Sequence, residues 1–279
     1  MGVLDRAALH RAKGDTFALA TVVRTLSVTA AKAGAKALIA PDGAIEEGWI
    51  GGGCARAAVL KAARQSMLDG RPRLVSITPE ELLEDLGVGA GEESGGVLYA
   101  RNSCPTQGTM DIFIEPVLPA PKLLILGASP VAVALAKLAP LMGFAVTVAA
   151  QGADLGKFDA APACIEGFAA PADFGAQGYV VVSTQGAGDR AALKVAASLP
   201  ARYRSFVGSH KKDARLRQDL AAEGAPVDGL AAIKAPAGLD LHAISTEEIA
   251  LSILAEIVAA RRGSQIADSA AAKGADTDG

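Results

Sequence analysis

Hydrophobic and polar positions along the chain form two blocks of strand-like and helix-like segments. In the first block, residues 3–13 have helical spacing, and residues 17–25 form an apolar, β-branched run that is typical of a buried strand. Residues 36–40 and 48–50 flank the turn Pro41-Asp42-Gly43. Apolar arms on either side of an Asp-Gly turn predict a β-hairpin.

The first block continues with a helix that follows three glycines. Residues 54–68 are rich in alanine, have helical spacing and end at a glycine. Strand patterns follow at residues 73–77 and 110–115. In residues 110–115, apolar side chains recur at every second position. Residues 79–96 are acidic and rich in glycine, which predicts a loop with a short helix.

Three prolines at positions 116, 119 and 121 separate the two blocks. Proline lacks an amide hydrogen and fixes its backbone, so this segment belongs neither to a helix interior nor to a central strand. We therefore predict a first domain over residues 1–116 and a linker over 117–121.

The second block repeats the order of strand, turn and helix. Residues 122–126 form an apolar strand, a glycine turn and a helix to Met142 follow, and residues 145–149 form the next strand. This βαβ unit is typical of nucleotide-binding sheets. Four further segments continue the alternation: strands at 179–183 and 205–207, and helices at 189–198 and 211–223.

The pattern thus predicts an α/β protein in which an α+β domain precedes a Rossmann-like, doubly wound domain over residues 122–262. The helix that ends this domain has a capping box of Ser245 and Glu248, and a stripe of Ile249, Ile253 and Ile257 for packing on the sheet. Residues 263–279 have few bulky apolar groups and are predicted to be a disordered tail.

Composition narrows the function classes. The 279 residues are 51% hydrophobic, with a net charge of −3 and a pI near 5.7, which argues against nucleic-acid binding. No run of about eighteen apolar residues and no secretory signal pattern occurs, so we expect a cytoplasmic protein without stable membrane insertion. Cys54, Cys104 and Cys164 are far apart in sequence, which fits reduced thiols.

The stretch Gly51-Gly52-Gly53-Cys54 is the strongest candidate site in the chain. Glycines can direct successive amides into one concavity, and a helix that begins here adds its positive dipole end. Such a place binds anions and favours a thiolate. Cys54 is therefore either a sulfur ligand or a small buried residue at a tight helix start, whereas Cys164 is predicted to be a core residue.

The dinucleotide fingerprint of the second domain departs from the usual pattern. Gly127 is retained, but Ser129 replaces the glycine that lets the backbone approach a pyrophosphate, and Gln151 replaces the acid that binds ribose. These two departures argue against an NAD(P) site. Gly186 and Ser209 follow two later strands, where open α/β sheets bind ligands.

Five segments in register resemble the XdhC/CoxI family of molybdenum hydroxylase maturation proteins. The five segments are the first-domain stretch that ends in the glycines and Cys54, the strand Asp111-Ile-Phe-Ile-Glu115-Pro116, Val207-Gly208-Ser209 followed by two lysines, Ala235-Pro236-Ala-Gly238-Leu239-Asp240, and the helix from Thr246. The resemblance covers nearly the whole chain and identifies the first domain as XdhC/CoxI-like.

The resemblance implies a carrier that protects the molybdenum cofactor, molybdopterin or its dinucleotide form, and delivers it in sulfurated form to xanthine dehydrogenase or carbon monoxide dehydrogenase. It implies a molybdenum hydroxylase client and a cysteine desulfurase as partners, and it leaves the oligomeric state open, a homodimer included. No catalytic residue is assigned. Cys54 is a candidate molybdenum ligand, and the candidate cofactor contacts are Gly51, Gly52, Gly53, Cys54, Cys104, Gly127, Ser129, Gly186 and Ser209.

Three positions depart from the family pattern. Arg56 replaces an acid beside Cys54, the loop after Cys104 has Pro-Thr-Gln where many relatives have two glycines, and His210 replaces an arginine. Two alternatives stay open: an NAD(P)-dependent oxidoreductase, suggested by the Rossmann-like unit, and a sulfurtransferase with Cys54 as its nucleophile.

Overall fold

A computed structural model describes residues 2–103, 107–158 and 163–275, with side chains for all of these except Cys54 and residues 264–275. The chain forms two compact units whose main segments are Met1–Pro119 and Ala120–Ala267. The division lies inside the proline-rich segment 117–121. An α+β unit precedes a doubly wound α/β unit, which confirms the predicted fold class.

The first unit is a mixed sheet with one long helix on its apolar face. Its elements are α1 (Val3–Lys13), β1 (Phe17–Leu26), β2 (Lys36–Ile39), β3 (Ile45–Gly48), α2 (Gly53–Asp69), β4 (Arg73–Thr78), α3 (Glu80–Leu86), β5 (Glu93–Ser94), β6 (Val97–Arg101) and β7 (Thr109–Val117). The strand order is β3-β2-β1-β7-β4-β6-β5. Alternate residues of β1 and β7, among them Ala20, Val22, Ile112 and Ile114, are buried together with Val59 of α2.

Two details of this unit differ from the sequence pattern. The hairpin exists, but its second arm is β3 at Ile45–Gly48, not residues 48–50. Gly48 ends that strand with a φ of +84°, and a Cβ there would lie 2.1 Å from the Lys36 carbonyl oxygen. The short strand β5 lies in the segment 79–96, which the sequence predicts to be a loop with a short helix. The strand β6 follows this segment and pairs in parallel with β4.

A buried acid joins three strands of the first sheet. Asp111 on β7 accepts hydrogen bonds from Ser76 Oγ on β4 at 2.7 Å and from Arg24 Nε on β1 at 2.5 Å. The carboxylate side chain is 11% exposed, whereas the Arg24 side chain is 59% exposed. One polar partner inside the sheet and one cation at its surface therefore offset the free-energy cost of burying this carboxylate.

Replacing Asp111 by alanine should destabilise the first unit by about 1–3 kcal/mol, because the Ser76 hydroxyl loses its charged acceptor inside the sheet. The exposed pair of Glu80 and Arg101 supplies a matched control, and Glu80→Ala should cost less than about 1 kcal/mol. Urea unfolding followed by the fluorescence of Trp49, the single tryptophan, measures both in this unit. Equal losses in the two variants would contradict this account of Asp111.

The second unit is a parallel sheet covered on both faces by helices. Its elements are β8 (Lys122–Leu126), α4 (Pro130–Leu138), a 3-10 turn (Ala139–Met142), β9 (Ala145–Ala150), α5 (Gly152–Leu155), β10 (Ala163–Glu166), β11 (Tyr179–Val182), α6 (Asp189–Ser198), β12 (Tyr203–Phe206), α7 (His210–Ala222), α8 (Val227–Ala231), β13 (Ile233–Lys234) and the start of α9 (Thr246–Ala275). The strand order is β10-β9-β8-β11-β12-β13, and every pair is parallel.

The helix α9 begins at the predicted capping box. Ser245 Oγ accepts the Glu248 amide at 3.2 Å, and the Glu248 carboxylate accepts the amides of Ser245 and Ile244. These donors hold the pKa of Glu248 below its usual value. Ile253 and Ile257 are buried against the sheet, as the stripe predicts, and the helix continues through residues 263–275, where the sequence predicts a disordered tail.

Candidate functional site

In the first unit, the glycine triplet forms the turn that leads into α2. Gly51 is buried and has a φ of +115°, and a Cβ on it would lie 3.2 Å from the Met110 methyl group. Gly52 has extended backbone and is the N-cap, and Gly53 begins the helix. Only the first of the three glycines has a positive φ, so the turn does not contain successive left-handed residues.

The start of α2 is open and has no negative charge of its own. No side chain caps the helix, its first turn contains no acid, and a Cβ on Gly52 or Gly53 would meet nothing within 4 Å. Arg56 lies exposed in the same turn. A cation at this end opposes the helix dipole, so both the dipole and the side chain favour an anion here.

Cys104 lies outside the described residues, but both ends of its loop are described. Asn102 donates its amide to the Thr78 carbonyl oxygen at 2.8 Å and its side-chain amide to the Gly108 carbonyl oxygen at 2.6 Å. The chain then enters β7, whose Met110 lies against Gly51. The described ends of the loop that contains Cys104 therefore lie close to Met110, which contacts the glycine turn.

In the second unit, a cavity of about 190 Å³ lies at the carboxyl ends of the central strands. Its walls come from the segments that follow β8, β9 and β11. β8 and β11 are neighbours at the centre of the sheet. After β8 the chain continues to β9 and β10 on one side, and after β11 it continues to β12 and β13 on the other side, so the strand order reverses between β8 and β11. This switch point is where open α/β sheets bind ligands.

One wall of the cavity is the turn from β8 into α4. Gly127 has a φ of +113°, and a Cβ on it would lie 2.5 Å from the Ser183 carbonyl oxygen. Ser129 caps α4 by accepting the Ala132 amide, and its hydroxyl lies 2.6 Å from the Ser183 hydroxyl. The Ser129 hydroxyl is thus hydrogen-bonded within the protein, although the residue lines the cavity.

The facing wall is the turn from β11 into α6, which a buried acid holds in place. Asp189 accepts hydrogen bonds from Thr184 Oγ1 and, at 3.2 Å, from the Gly186 amide, and it pairs with Lys212 Nζ at 2.5 Å. Gln185 lines the cavity, and its backbone has a φ of +53°, a conformation that residues other than glycine rarely adopt. Backbone of this kind persists where the surrounding structure fixes it, often at ligand sites.

The third side of the cavity contains Gln151, which the sequence singles out, and three residues that it does not, namely Asp154, Lys157 and Phe168. Gln151, at the position of the missing ribose acid, is joined by Asp154 and Lys157, whose charged groups lie 2.7 Å apart. Phe168 contributes its half-buried ring, which passes so close to Gly188 that a Cβ there would lie 2.4 Å from it. Asp154, Lys157 and Phe168 follow β9 and β10 in a segment without clear periodicity, so no sequence signal points to these three residues.

Two family models match this chain, one in each unit. The model of the XdhC and CoxI family matches residues 10–78, and the model of the XdhC Rossmann domain matches residues 123–257. The chain belongs to the XdhC/CoxI family. The resemblance seen in the sequence is thereby confirmed.

Two similar proteins give the context of this XdhC/CoxI chain. The uncharacterized protein YqeB of Escherichia coli strain K12 is 27% identical over 266 residues, which make up 92% of this chain and 46% of YqeB. The chain thus spans about half the length of this curated relative. A crystal structure described as a xanthine dehydrogenase from Bacillus halodurans is 20% identical, with coverage of 94% of this chain and 96% of that chain and a TM-score of 0.46.

The remaining candidates of this family member are placed as follows. Gly186 lies between Gln185 and Ala187, which line the cavity, and does not itself belong to the lining, whereas Ser209 caps α7 by accepting the Lys212 amide at 3.3 Å. Cys164 is exposed on β10, so its assignment to the core was wrong, since β10 is the edge strand of the sheet. Within the described residues, no three His, Cys, Asp or Glu side chains converge on a metal site, and no helix is long and apolar enough to cross a membrane.

The contact at Gly127 can be tested by a pair of glycine substitutions. Gly127→Ala combines a left-handed backbone with a collision against Ser183, whereas Gly143→Ala has a φ of +78° and open space around the new methyl group. We expect Gly143→Ala to cost about 1–2 kcal/mol and Gly127→Ala at least about 1 kcal/mol more. Hydrogen exchange of the β8 amides reports the stability of the second unit, and equal costs would show that the β11 backbone does not constrain this turn.

Proposed function

We propose that this XdhC/CoxI family member binds the molybdenum cofactor and takes part in the maturation of a molybdenum hydroxylase. The observation that carries the proposal is the open, uncapped start of α2, which presents amide groups and Arg56 next to Cys54. The family assignment of both units supports it.

The chemistry of the first-unit site suits this cofactor. Molybdopterin contains a phosphate and sulfur atoms that bind the metal, so a receptor needs an anion site and tolerates a thiolate. Gly52 and Gly53 leave the space around the helix start free, and Arg56 adds a positive charge without a neighbouring acid in that turn. In our proposal these residues hold the phosphate end, and Cys54 is a ligand to molybdenum.

The role of the protein is then that of a carrier. When bound, the cofactor supplies the redox metal centre that the client enzyme uses, and this chain holds it, shields it and passes it on. Sulfuration by a cysteine desulfurase and transfer to the client belong to the same proposal. The alanine-rich helix α2 fixes the turn, because Val59, Ala62 and Ala63 anchor it on the sheet.

Replacing Cys54 by serine should remove the copurified cofactor. In protein coexpressed with a molybdenum hydroxylase, we expect molybdenum and oxidised pterin to fall at least about ten-fold, since even residues behind a metal ligand contribute this much to affinity. Cys164→Ser, at an exposed thiol of the second unit, is the matched control and should retain both. Metal analysis and pterin fluorescence measure the result, and equal loss or retention in the two variants would refute the role of Cys54.

A second experiment tests whether Cys54 and Cys104 share this site. Because both ends of the Cys104 loop lie close to the glycine turn, we expect a short bismaleimide to link the two thiols in Cys164→Ser protein. Peptide mass spectrometry detects the link.

The control for this cross-link uses the same helix. In a Cys104→Ser, Leu68→Cys protein, the new thiol lies fourteen residues along α2 from Cys54, which corresponds to about 21 Å of helix. Leu68 is 85% exposed, so its replacement leaves the core intact. The short linker should not span this distance. Separate modification of Cys54 and Cys104 without any link would show that the two thiols do not share a site.

A further inference from the structure

The cavity at the switch point of the second unit is built like the binding site of a nucleotide. It lies where the segments after β8, β9 and β11 meet, and it combines a helix start, polar side chains and an aromatic ring. We propose that this cavity binds one ribonucleotide unit, a nucleoside 5′-phosphate, and not an extended dinucleotide. The inference does not depend on the proposed role of Cys54.

Among residues 127–130 of the turn after β8, one amide is available to a ligand. Gly127 donates its amide to the Ala149 carbonyl oxygen at 2.9 Å, Ser129 donates to Ser183, and Pro130 has no amide hydrogen. Ala128, whose amide has no acceptor within the described residues, lines the cavity at the positive end of α4. Lys157, whose ammonium group also pairs with the Asp154 carboxylate at 2.7 Å, provides a cation on the side of the cavity formed after β9. A pyrophosphate would need the amides that the protein already uses.

The size of the cavity leads to the same conclusion. Its volume of about 190 Å³ is below the range of roughly 300–1,000 Å³ that encloses larger ligands. One nucleotide unit can insert its phosphate and ribose here and extend its base along the open side.

Two side chains are suited to the ribose. Gln151 stands at the end of β9, where an acid usually binds the ribose hydroxyls, and Asp154 supplies a carboxylate three residues later in the same wall. A carboxylate accepts hydrogen bonds from neighbouring hydroxyls, so the pair replaces the missing acid.

The base has an aromatic surface to contact. The Phe168 ring lines the cavity and is held against Gly188, where a side chain would collide with it. Stacking on an aromatic ring stabilises a base by about 1–3 kcal/mol whichever base it is, because every base has a π-face. Affinity should therefore depend weakly on the base and strongly on the ring of Phe168.

Calorimetric titration of the full chain with AMP, CMP, GMP, ADP-ribose and NAD⁺ tests the proposal. We expect saturable binding of the monophosphates, with neither ADP-ribose nor NAD⁺ more than ten-fold tighter than AMP. Phe168→Ala should weaken binding about five-fold or more, whereas Phe168→Tyr, which keeps the ring, should bind as the unchanged protein does. Phe113→Ala, a partly exposed ring of the first unit, is the matched control.

The contact to the ribose has its own test. 2′,3′-Dideoxy-AMP should bind the unchanged protein about ten-fold more weakly than AMP, and Asp154→Asn should reduce this difference because the carboxylate acceptor is gone. A variant that merely loses stability would weaken both ligands equally, and a melting curve of each variant identifies that case. Equal weakening without a change in melting temperature would contradict the assignment of Asp154.

Absence of saturable binding of every nucleotide, ten-fold tighter binding of ADP-ribose or NAD⁺, or equal affinity of Phe168→Ala and the unchanged protein would overturn the proposal. Mass spectrometry of nucleotides released from freshly purified protein distinguishes two sources of the ligand. A nucleotide recovered as such on denaturation is a free cellular nucleotide and supports the proposal. A nucleotide recovered only attached to a pterin carries the pyrophosphate that the turn after β8 does not accommodate, and it would contradict the proposal.

Discussion

The second unit depends on how closely two backbone segments approach each other at the centre of its sheet. The turn after β8 and the end of β11 lie so near that a single methyl group on Gly127 would reach the Ser183 carbonyl oxygen at 2.5 Å. The two segments are joined by the Ser129 amide and by the contact of the two serine hydroxyls. Because both turns are fixed in this way, the cavity between them has defined walls. Asp189 fixes the second wall through three donors.

The first unit uses the opposite arrangement at its helix start. In α4, a serine caps the helix, a proline occupies the first position and two amides of the turn are consumed by the protein. In α2, no side chain caps the helix, and the glycines at its start leave open space. Unsatisfied amides at a helix start bind water or an anion. Of these two helix starts, the one beside Cys54 therefore leaves more amides without a partner inside the protein.

Local signals in the sequence predicted the elements that depend on local chemistry. The glycine triplet and the alanine run predict the start of α2, the capping box of Ser245 and Glu248 predicts the start of α9, and apolar runs predict β8 and β11. What the sequence could not supply depends on pairing between distant segments. β10 becomes an edge strand only through its pairing with β9, and this pairing exposes Cys164 and brings Phe168 to the cavity. The polar set around Asp111 likewise forms because three strands distant in sequence become neighbours.

The replacement of a glycine by Ser129 shows why a degenerate motif and a functional cavity are compatible. As a sequence, the serine argues against close approach of a pyrophosphate, and in the structure its hydroxyl points to the Ala132 amide and to Ser183. The serine thus stabilises the wall at the expense of amides that a second phosphate would use, since its own amide is bonded to Ser183. Loss of the glycine consequently changes which ligand the cavity suits and leaves the cavity itself in place. The acid missing at Gln151 fits the same account, because Asp154 supplies a carboxylate to that wall from the next turn of chain.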